Sequence, residues 1–274
     1  MEISGTTQVI AILGHPVSHS LSPLMHNSAF RKMGLDYCYI ALDVHPSGLR
    51  AAIEGIREMG FAGLNITVPH KEAVMPMLDK VDPEAAFIGA VNTIVNRNGK
   101  LIGYNTDGRG FIRSLKEESV EVRDKNVLLV GAGGAARAVS WYLAEEGSDL
   151  SIYNRTSEKA DLLAGDLAIN FKNVRRAESL DALVEADIVI NSTSLGLNPQ
   201  DPLPFDPSGL KPGAVVIDLI YQDTPLIQQA RQSGHKTIGG LGMLLWQGVL
   251  ASELWTGLTP PHEHMKDIIF KSLG

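Results

Sequence analysis

Residues 14–27 read GHPVSHSLSPLMHN, fourteen positions with three serines and three histidines and almost no charge. Three kinds of chemistry are open to such a set. Imidazoles could ligate a metal, a serine could act as nucleophile with a histidine base, or hydroxyls could line a neutral pocket for an anion. Further along, NITVPHKEAV (65–74) follows a buried-type run and carries Lys71. Pro69 suits the first position of a helix, which would put Lys71 in the opening turn. A cation there opposes the helix dipole at a cost of about 0.3–1 kcal/mol. That placement fits a tuned proton donor better than an ordinary surface lysine. GYNTDGRGF (103–111) supplies a carboxylate, Asp107, that could hold the ammonium in place. Thr106 or Asp107 would also make a good helix N-cap. Asn92, in GAVNT (89–93), suits a turn or a polar contact equally well.

A second kind of chemistry is legible in NVLLVGAGGAARAVSWYL (126–143), an apolar run, a glycine turn and a helical pattern in succession. Gly131, Gly133 and Ala136 match G-x-G-x-x-G/A. The first glycine makes the turn, the second lets backbone approach a pyrophosphate, and the small third residue lets helix and strand pack closely. The helix N-terminus adds amides and dipole for the phosphates. At the end of the next strand, where an NAD site commonly carries an acid for the ribose 2′-hydroxyl, this chain has Asn154, Arg155 and Thr156, with Lys159 a turn later. An acid would repel a 2′-phosphate, whereas an arginine pairs with it, so NADP is expected over NAD. Thr156 also suits a helix N-cap.

These groups need elements to hold them. Runs at 8–14, 37–44, 62–68, 126–131, 149–154, 186–192 and 214–220 read as buried strands, with amphipathic helical patterns between them. That alternation predicts an α/β fold with parallel sheet covered on both faces. VNRNGKLIGYN (95–105) differs, because Asn98-Gly99 between two β-like runs marks a hairpin. The expected domains are 1–115, a Rossmann-type doubly wound unit at 116–238, and C-terminal helices at 239–274 that return to the first domain. The 274 residues are 44% hydrophobic and 20% charged, with net charge −7 and no block of like charge. This composition argues against nucleic acid or an anionic membrane as partner. The single cysteine, Cys38, allows no intrachain disulfide and fits a reducing cytoplasm. The N-terminal stretch has no basic n-region of a signal peptide. The longest uncharged apolar run, 237–252, is too short and glycine-rich to span a bilayer. A soluble, cytoplasmic monomer or homodimer is expected.

Taken in order, GHPVSHSLSPLMHN, GLNITVPHK, IGAVNT, YNTDG, VGAGGAARA, YNRT, NSTSLG, DLIY and GGLGMLLWQG resemble the shikimate dehydrogenase family over essentially the full chain. The resemblance implies an α/β substrate domain and a Rossmann domain for NADP(H), with substrate in the cleft between them. It implies reduction of 3-dehydroshikimate to shikimate on the route to aromatic amino acids, with no metal. By position, Lys71 and Asp107 correspond to the catalytic pair. Ser20, Ser22, Thr67, Asn92, Tyr221, Gln247 and Asn65 correspond to substrate contacts. Gly131, Ala132, Gly133, Gly134, Ala135, Asn154, Arg155, Thr156, Lys159, Leu219 and Gly240 correspond to the cofactor set. The chain departs from the family pattern twice: QDTPL after Tyr221 is short, and Lys159 replaces a common arginine, keeping the charge but losing the planar fork.

The resemblance assigns Ser20 and Ser22 to the substrate carboxylate, which favours an anion pocket for the opening stretch. No acid or cysteine lies near His15, His19 and His26 to complete a metal set. No G-x-S-x-G elbow presents a nucleophile. Ser22-Pro23 also reads as an N-cap followed by proline at the first helical position. Two rivals are an NAD-linked quinate/shikimate dehydrogenase and a non-catalytic NADP(H)-sensing protein. Arg155 weighs against the first, and retention of both Lys71 and Asp107 against the second. Arg155→Asp is expected to lower kcat/KM with NADPH far more than with NADH, because it sets an anion beside the 2′-phosphate. Equal losses in steady-state kinetics would show that Arg155 does not read the phosphate.

Overall fold

All seven runs rich in β-branched and apolar residues form strands, each within two residues of its expected ends. A computed structural model describes residues 2–198 and 200–272. Its contacts divide the chain into two units. One holds the residues up to Thr106 together with those from Leu245 onward, and the other runs from Asp107 to Leu244.

In the first unit the strands are β1 (Gln8–Gly14), β2 (Tyr37–Asp43), β3 (Gly63–Ile66), β4 (Lys80–Val81), β5 (Thr93–Arg97) and β6 (Lys100–Tyr104). They form one sheet in the order β2-β1-β3-β5-β6-β4. β1 pairs parallel with β2 and β3, but β5 runs antiparallel to both β3 and β6. The sheet is therefore mixed rather than parallel, because β5 and β6 are joined by the hairpin. Asn98 (φ 54°) and Gly99 (φ 85°) both take the left-handed backbone that a two-residue hairpin turn requires. The unit's helices are α1 (Ser22–Met33), α2 (Leu49–Glu58) and α3 (Pro83–Ile88), with α8 (Leu241–Thr256) from Leu245 onward and α9 (His262–Ser272).

β1 shows why both faces are covered. Ala11 and Leu13 join a core with Ile53, Ile56, Leu64 and Ile66, while Ile10 and Ile12 join one with Phe30, Tyr39, Val95 and Trp255. Period-two alternation of apolar residues to both sides demands helices on both. Gly63 makes one crossing possible. A Cβ there would lie 2.2 Å from Trp255 Nε1, which instead donates to the Ile94 carbonyl at 2.9 Å.

The second unit contains β7 (Asn126–Val130), β8 (Asp149–Tyr153), β9 (Val174–Arg176), β10 (Ile188–Asn191), β11 (Val215–Asp218) and β12 (Lys236–Ile238). All pair in parallel, in the order β12-β11-β10-β7-β8-β9. Counted from β7 this is the 3-2-1-4-5-6 order of doubly wound dinucleotide-binding folds. Helices α4 (Asp107–Glu117), α5 (Gly134–Glu145), α6 (Ser157–Ala168) and α7 (Pro225–Gln232) belong to it.

The units divide at 106/107 and 244/245, where the sequence suggests 115/116 and 238/239. Close packing on α4 accompanies both shifts. A Cβ on Gly108 of α4 would lie 2.2 Å from the Ala138 carbonyl oxygen of α5, so α4 and α5 touch along their main chains. Gly242 likewise sits against Ser114 of α4. The short elements α3, β4, β9 and β12 carry too few residues to show a period, and the sequence does not announce them.

His26 of α1 is completely buried, stacked on Tyr39 with ring centroids 4.6 Å apart and edge-on to Trp255 at 5.4 Å. Neither ring nitrogen has a hydrogen-bond partner among the described residues. Burial holds its pKa down at about 3, so the ring is neutral. A histidine depressed in the folded state stabilises the fold above its unfolded pKa and loses that contribution as pH falls through the window from 6.5 towards 3. Chemical denaturation is expected to show stability declining below about pH 6.5, by up to about 1.4 kcal/mol per pH unit. His26→Phe should flatten that slope. An unchanged slope in the variant would place the acid sensitivity elsewhere.

Candidate active site

In the first unit the candidate substrate residues gather at one edge of the sheet. Gly14 ends β1 where a Cβ would meet Thr67 at 2.3 Å, and His15 N donates to the Val68 carbonyl at 3.0 Å. The loop carrying Ser20 and the loop carrying Thr67 and Lys71 are thus stitched side by side. Antiparallel pairing brings the start of β5 to the end of β3, with Asn65 opposite Thr93 and Thr93 opposite Tyr104. Val91 N donates to the Lys71 carbonyl at 2.8 Å, which ties the lysine's backbone to the residue before Asn92. Gln247 lies on α8 beside Gly248, whose added Cβ would meet Met25 Cε of α1 at 2.3 Å.

The polar groups here are joined and buried. Asn65 Nδ2 donates to the Asn92 carbonyl (3.0 Å) and to Thr93 Oγ1 (3.2 Å). Thr93 Oγ1 donates to Asn92 Oδ1 at 2.9 Å, which also accepts from Thr106 N at 2.8 Å. Asn92 Nδ2 donates to Thr106 Oγ1 at 2.9 Å. Tyr39 donates its hydroxyl to Asn65 Oδ1 at 2.6 Å. Burial raises the Tyr39 pKa far above that of an ordinary tyrosine. Asp107, 8% exposed, opens α4 immediately after Thr106 and is counted with the second unit, as is Tyr221.

Two local expectations are corrected. Lys71 does not sit in a helix: residues 71–74 form turns, and the first helical residues are a short 3₁₀ segment, Met75–Met77. Pro76 has no N–H to continue an α-helix from Pro69, so the dipole argument for Lys71 does not apply. Ser22 is not the N-cap of α1. Leu21 occupies that position without a side-chain bond, Ser22 is the first helical residue, and its N–H is accepted by Ser20 Oγ at 3.3 Å.

The second unit presents a nucleotide site. Gly131 follows β7 at φ 119°, and a Cβ there would lie 2.4 Å from Ser192 Oγ. Gly133 caps α5, and an added Cβ at Gly133 or Gly134 meets nothing within 4 Å, so backbone there is open to a ligand. Ala132 is half-buried and Ala135 exposed, while Ala136 is fully buried at the helix–strand contact. Arg155, Thr156 and Lys159 are exposed around the start of α6. Thr156 holds the N-cap position, but its side chain makes no capping bond; its carbonyl accepts from Asn154 Nδ2 at 2.8 Å. Gly240 is packed on the β11 loop, with an added Cβ 2.2 Å from the Leu219 carbonyl oxygen. An exposed helix N-terminus after an open glycine turn, flanked by Arg155, fits a phosphorylated dinucleotide. No group of three or more metal-ligating side chains is found among the described residues.

Three family models match in succession: the shikimate dehydrogenase substrate binding domain at 12–94, shikimate/quinate 5-dehydrogenase at 114–197, and the shikimate 5′-dehydrogenase C-terminal domain at 240–270. The NADP(+) shikimate dehydrogenase of Desulforamulus reducens is 46% identical, covering 99% of this chain and 98% of its own. The chain belongs to the shikimate dehydrogenase family. The Moorella thermoacetica enzyme of the same name is 47% identical over 100% of this chain and 96% of its own. Among solved structures, the Thermus thermophilus shikimate 5-dehydrogenase in complex with NADP(H) and shikimate superposes with a TM-score of 0.90. It is 38% identical, with 97% of this chain and 100% of that one covered.

Sequence reasoning missed the residues that hold the site rather than line it. Tyr39 is marked only by its inward place in β2. Asp218 and Asn191 lie in DLIY and NSTSLG but end their strands buried. Asp218, fully buried, accepts from Asn191 Nδ2 (3.0 Å), Ile220 N (3.1 Å) and Thr224 Oγ1 (2.7 Å). Desolvation raises its pKa despite these bonds. A carboxyl raised in the folded state stabilises the fold below its unfolded pKa of 3.8 and loses that contribution as pH rises through the folded value. Asn can present its oxygen to Asn191 and Ile220 and its amide to Thr224, so Asp218→Asn is expected to fold. Denaturation from about pH 4 to 8 should show less loss of stability with rising pH in the variant. Parallel curves for the two proteins would remove Asp218 from the account.

Proposed function

We propose that this chain catalyses the reversible NADP-dependent reduction of 3-dehydroshikimate to shikimate, a step in aromatic amino acid biosynthesis, with Lys71 and Asp107 as its acid–base pair. The observation that carries the assignment of roles is the polar edge of the first unit. There Lys71 is tied by its backbone beside the uncharged amides and hydroxyls of Asn65, Thr67, Asn92 and Thr106. NADPH, when bound at the glycine turn, supplies the hydride for the C3 carbon. Lys71 gives a proton to the oxygen left on that carbon, and in the reverse direction its neutral amine takes the proton back. Asp107 orients the ammonium and the neighbouring substrate hydroxyl. Ser20 and Ser22 hold the carboxylate through neutral donors, while Asn65, Thr67, Asn92, Gln247 and Tyr221 fix the ring's hydroxyls and orientation. Gly131 to Ala135, Asn154, Arg155, Thr156, Lys159, Leu219 and Gly240 form the cofactor set.

The reaction is tested by following NADPH oxidation with 3-dehydroshikimate, with NADH as the comparison. Lys71→Ala is expected to lower kcat by about 10²–10⁴-fold, the usual range for a general acid or base. KM for the substrate should move far less. A variant with near-normal kcat would return Lys71 to the ordinary surface lysines.

A further inference from the structure

We propose that His70 is a positioning residue for Lys71, holding the root of that side chain by tying its loop to the end of β2. This inference rests on the reading of Lys71 as general acid and base. Lys71 lies in turns, outside both helix and strand. Its four-carbon stem is flexible, so the ammonium is placed reproducibly only where the main chain beneath it is held.

One tie is on Lys71 itself, whose carbonyl accepts from Val91 N at 2.8 Å. A second comes from the residue before it. His70 is 1% exposed, and its Nε2 lies 2.7 Å from the Val44 carbonyl oxygen. A carbonyl can only accept, so Nε2 carries the hydrogen and donates it. In the sheet order β2-β1-β3-β5, Val44 follows β2 and Val91 precedes β5. The loop leaving β3 is therefore gripped from both sides of its own strand. A single tie leaves a segment free to pivot, and a second on the opposite side removes the pivot.

To reach Val44 the loop has to lean over the end of β1. Thr67 N donates to the Leu13 carbonyl at 3.0 Å, and Val44 N donates to the Gly14 carbonyl at 2.9 Å. The ends of β2 and β3 are thus joined through β1. Gly14 keeps the crossing low, because a Cβ there would lie 2.3 Å from Thr67 Cγ2 and 3.2 Å from the Val68 carbonyl oxygen. His70 N donates to the Thr67 carbonyl and Val74 N to the His70 carbonyl, each at 3.0 Å, which folds the loop tightly about the histidine.

His70→Phe keeps a buried ring and removes the donor. A displacement of about 1 Å can slow a reaction about 10²-fold, and releasing one of two ties should do less. In shikimate oxidation with NADP+, kcat is expected to fall about tenfold, with KM for shikimate and for NADP+ within about twofold. The amide nitrogen of glutamine can stand where Nε2 stands, so His70→Gln should keep kcat within about threefold of wild type. That of asparagine stands nearer Nδ1 and falls short of Val44, so His70→Asn should lose as much as His70→Phe. In a Lys71→Ala background, adding His70→Phe should change kcat less than about twofold, because His70 then has nothing to position. A merely structural role would lower thermal stability and leave kcat of the folded variants near wild type. That result, equal kcat in His70→Gln and His70→Asn, or a tenfold loss that persists without Lys71 would overturn the positioning role while leaving the proposed reaction standing. A near-normal kcat in Lys71→Ala itself would overturn both. Should circular dichroism show His70→Phe unfolded, the glutamine and asparagine variants decide by the same comparison.

Discussion

A backbone carbonyl that can only accept hydrogen bonds orients much of the first unit's polar interior. The Asn92 carbonyl dictates which way the Asn65 amide points, and Asn65 in turn dictates where the Tyr39 proton goes. On the other side, the Thr106 N–H can only donate, which turns the Asn92 carboxamide oxygen toward it. Two main-chain groups of fixed polarity thus remove the ambiguity from two buried carboxamides. The hairpin supplies both, because β5 and β6 place Thr93 opposite Tyr104 and leave residues 92 and 106 side by side. Lys71 is drawn to the same edge through its own carbonyl. Donors and acceptors at this edge are thus already pointed, which limits the ordering cost for a ligand placed there.

The second unit organises its site by backbone proximity instead. Gly131 is pressed against Ser192 and Gly240 against the Leu219 carbonyl, so the loops after β7 and β10 and those around β11 pack where a side chain on either glycine could not fit. Asp218 and Asn191 lock the last two of these loops, and Asn191 Oδ1 also accepts from Thr193 N and Oγ1. Gly133 and Gly134 have no such neighbours. Their freedom is left to the ligand side, as a pyrophosphate resting on main-chain amides requires.

Buried ionisable groups follow from the same economy of space. His26 is kept neutral by the aromatic packing that steadies Tyr39. Asp218 is kept from solvent by the loops that it ties. The two have opposite linkage with pH, His26 opposing acid and Asp218 opposing its own ionisation.

Local chemistry was legible in the residues themselves. Alternation along β1 announces two covered faces, Asn98-Gly99 announces a hairpin, and the glycine turn with Arg155 announces a phosphorylated dinucleotide. These signals work because period, left-handed backbone and charge are properties of a few consecutive residues. The pattern of motifs also carried the family. What the sequence could not show is anything that depends on a partner distant along the chain. The Lys71 carbonyl accepts from Val91 N rather than from a helical turn, and the Tyr39 hydroxyl donates to Asn65. Contact between α4 and α5 draws the unit boundary back to Thr106. In each case two residues far apart in the sequence meet only once the sheets are built, and the contact, not the local propensity, sets the role.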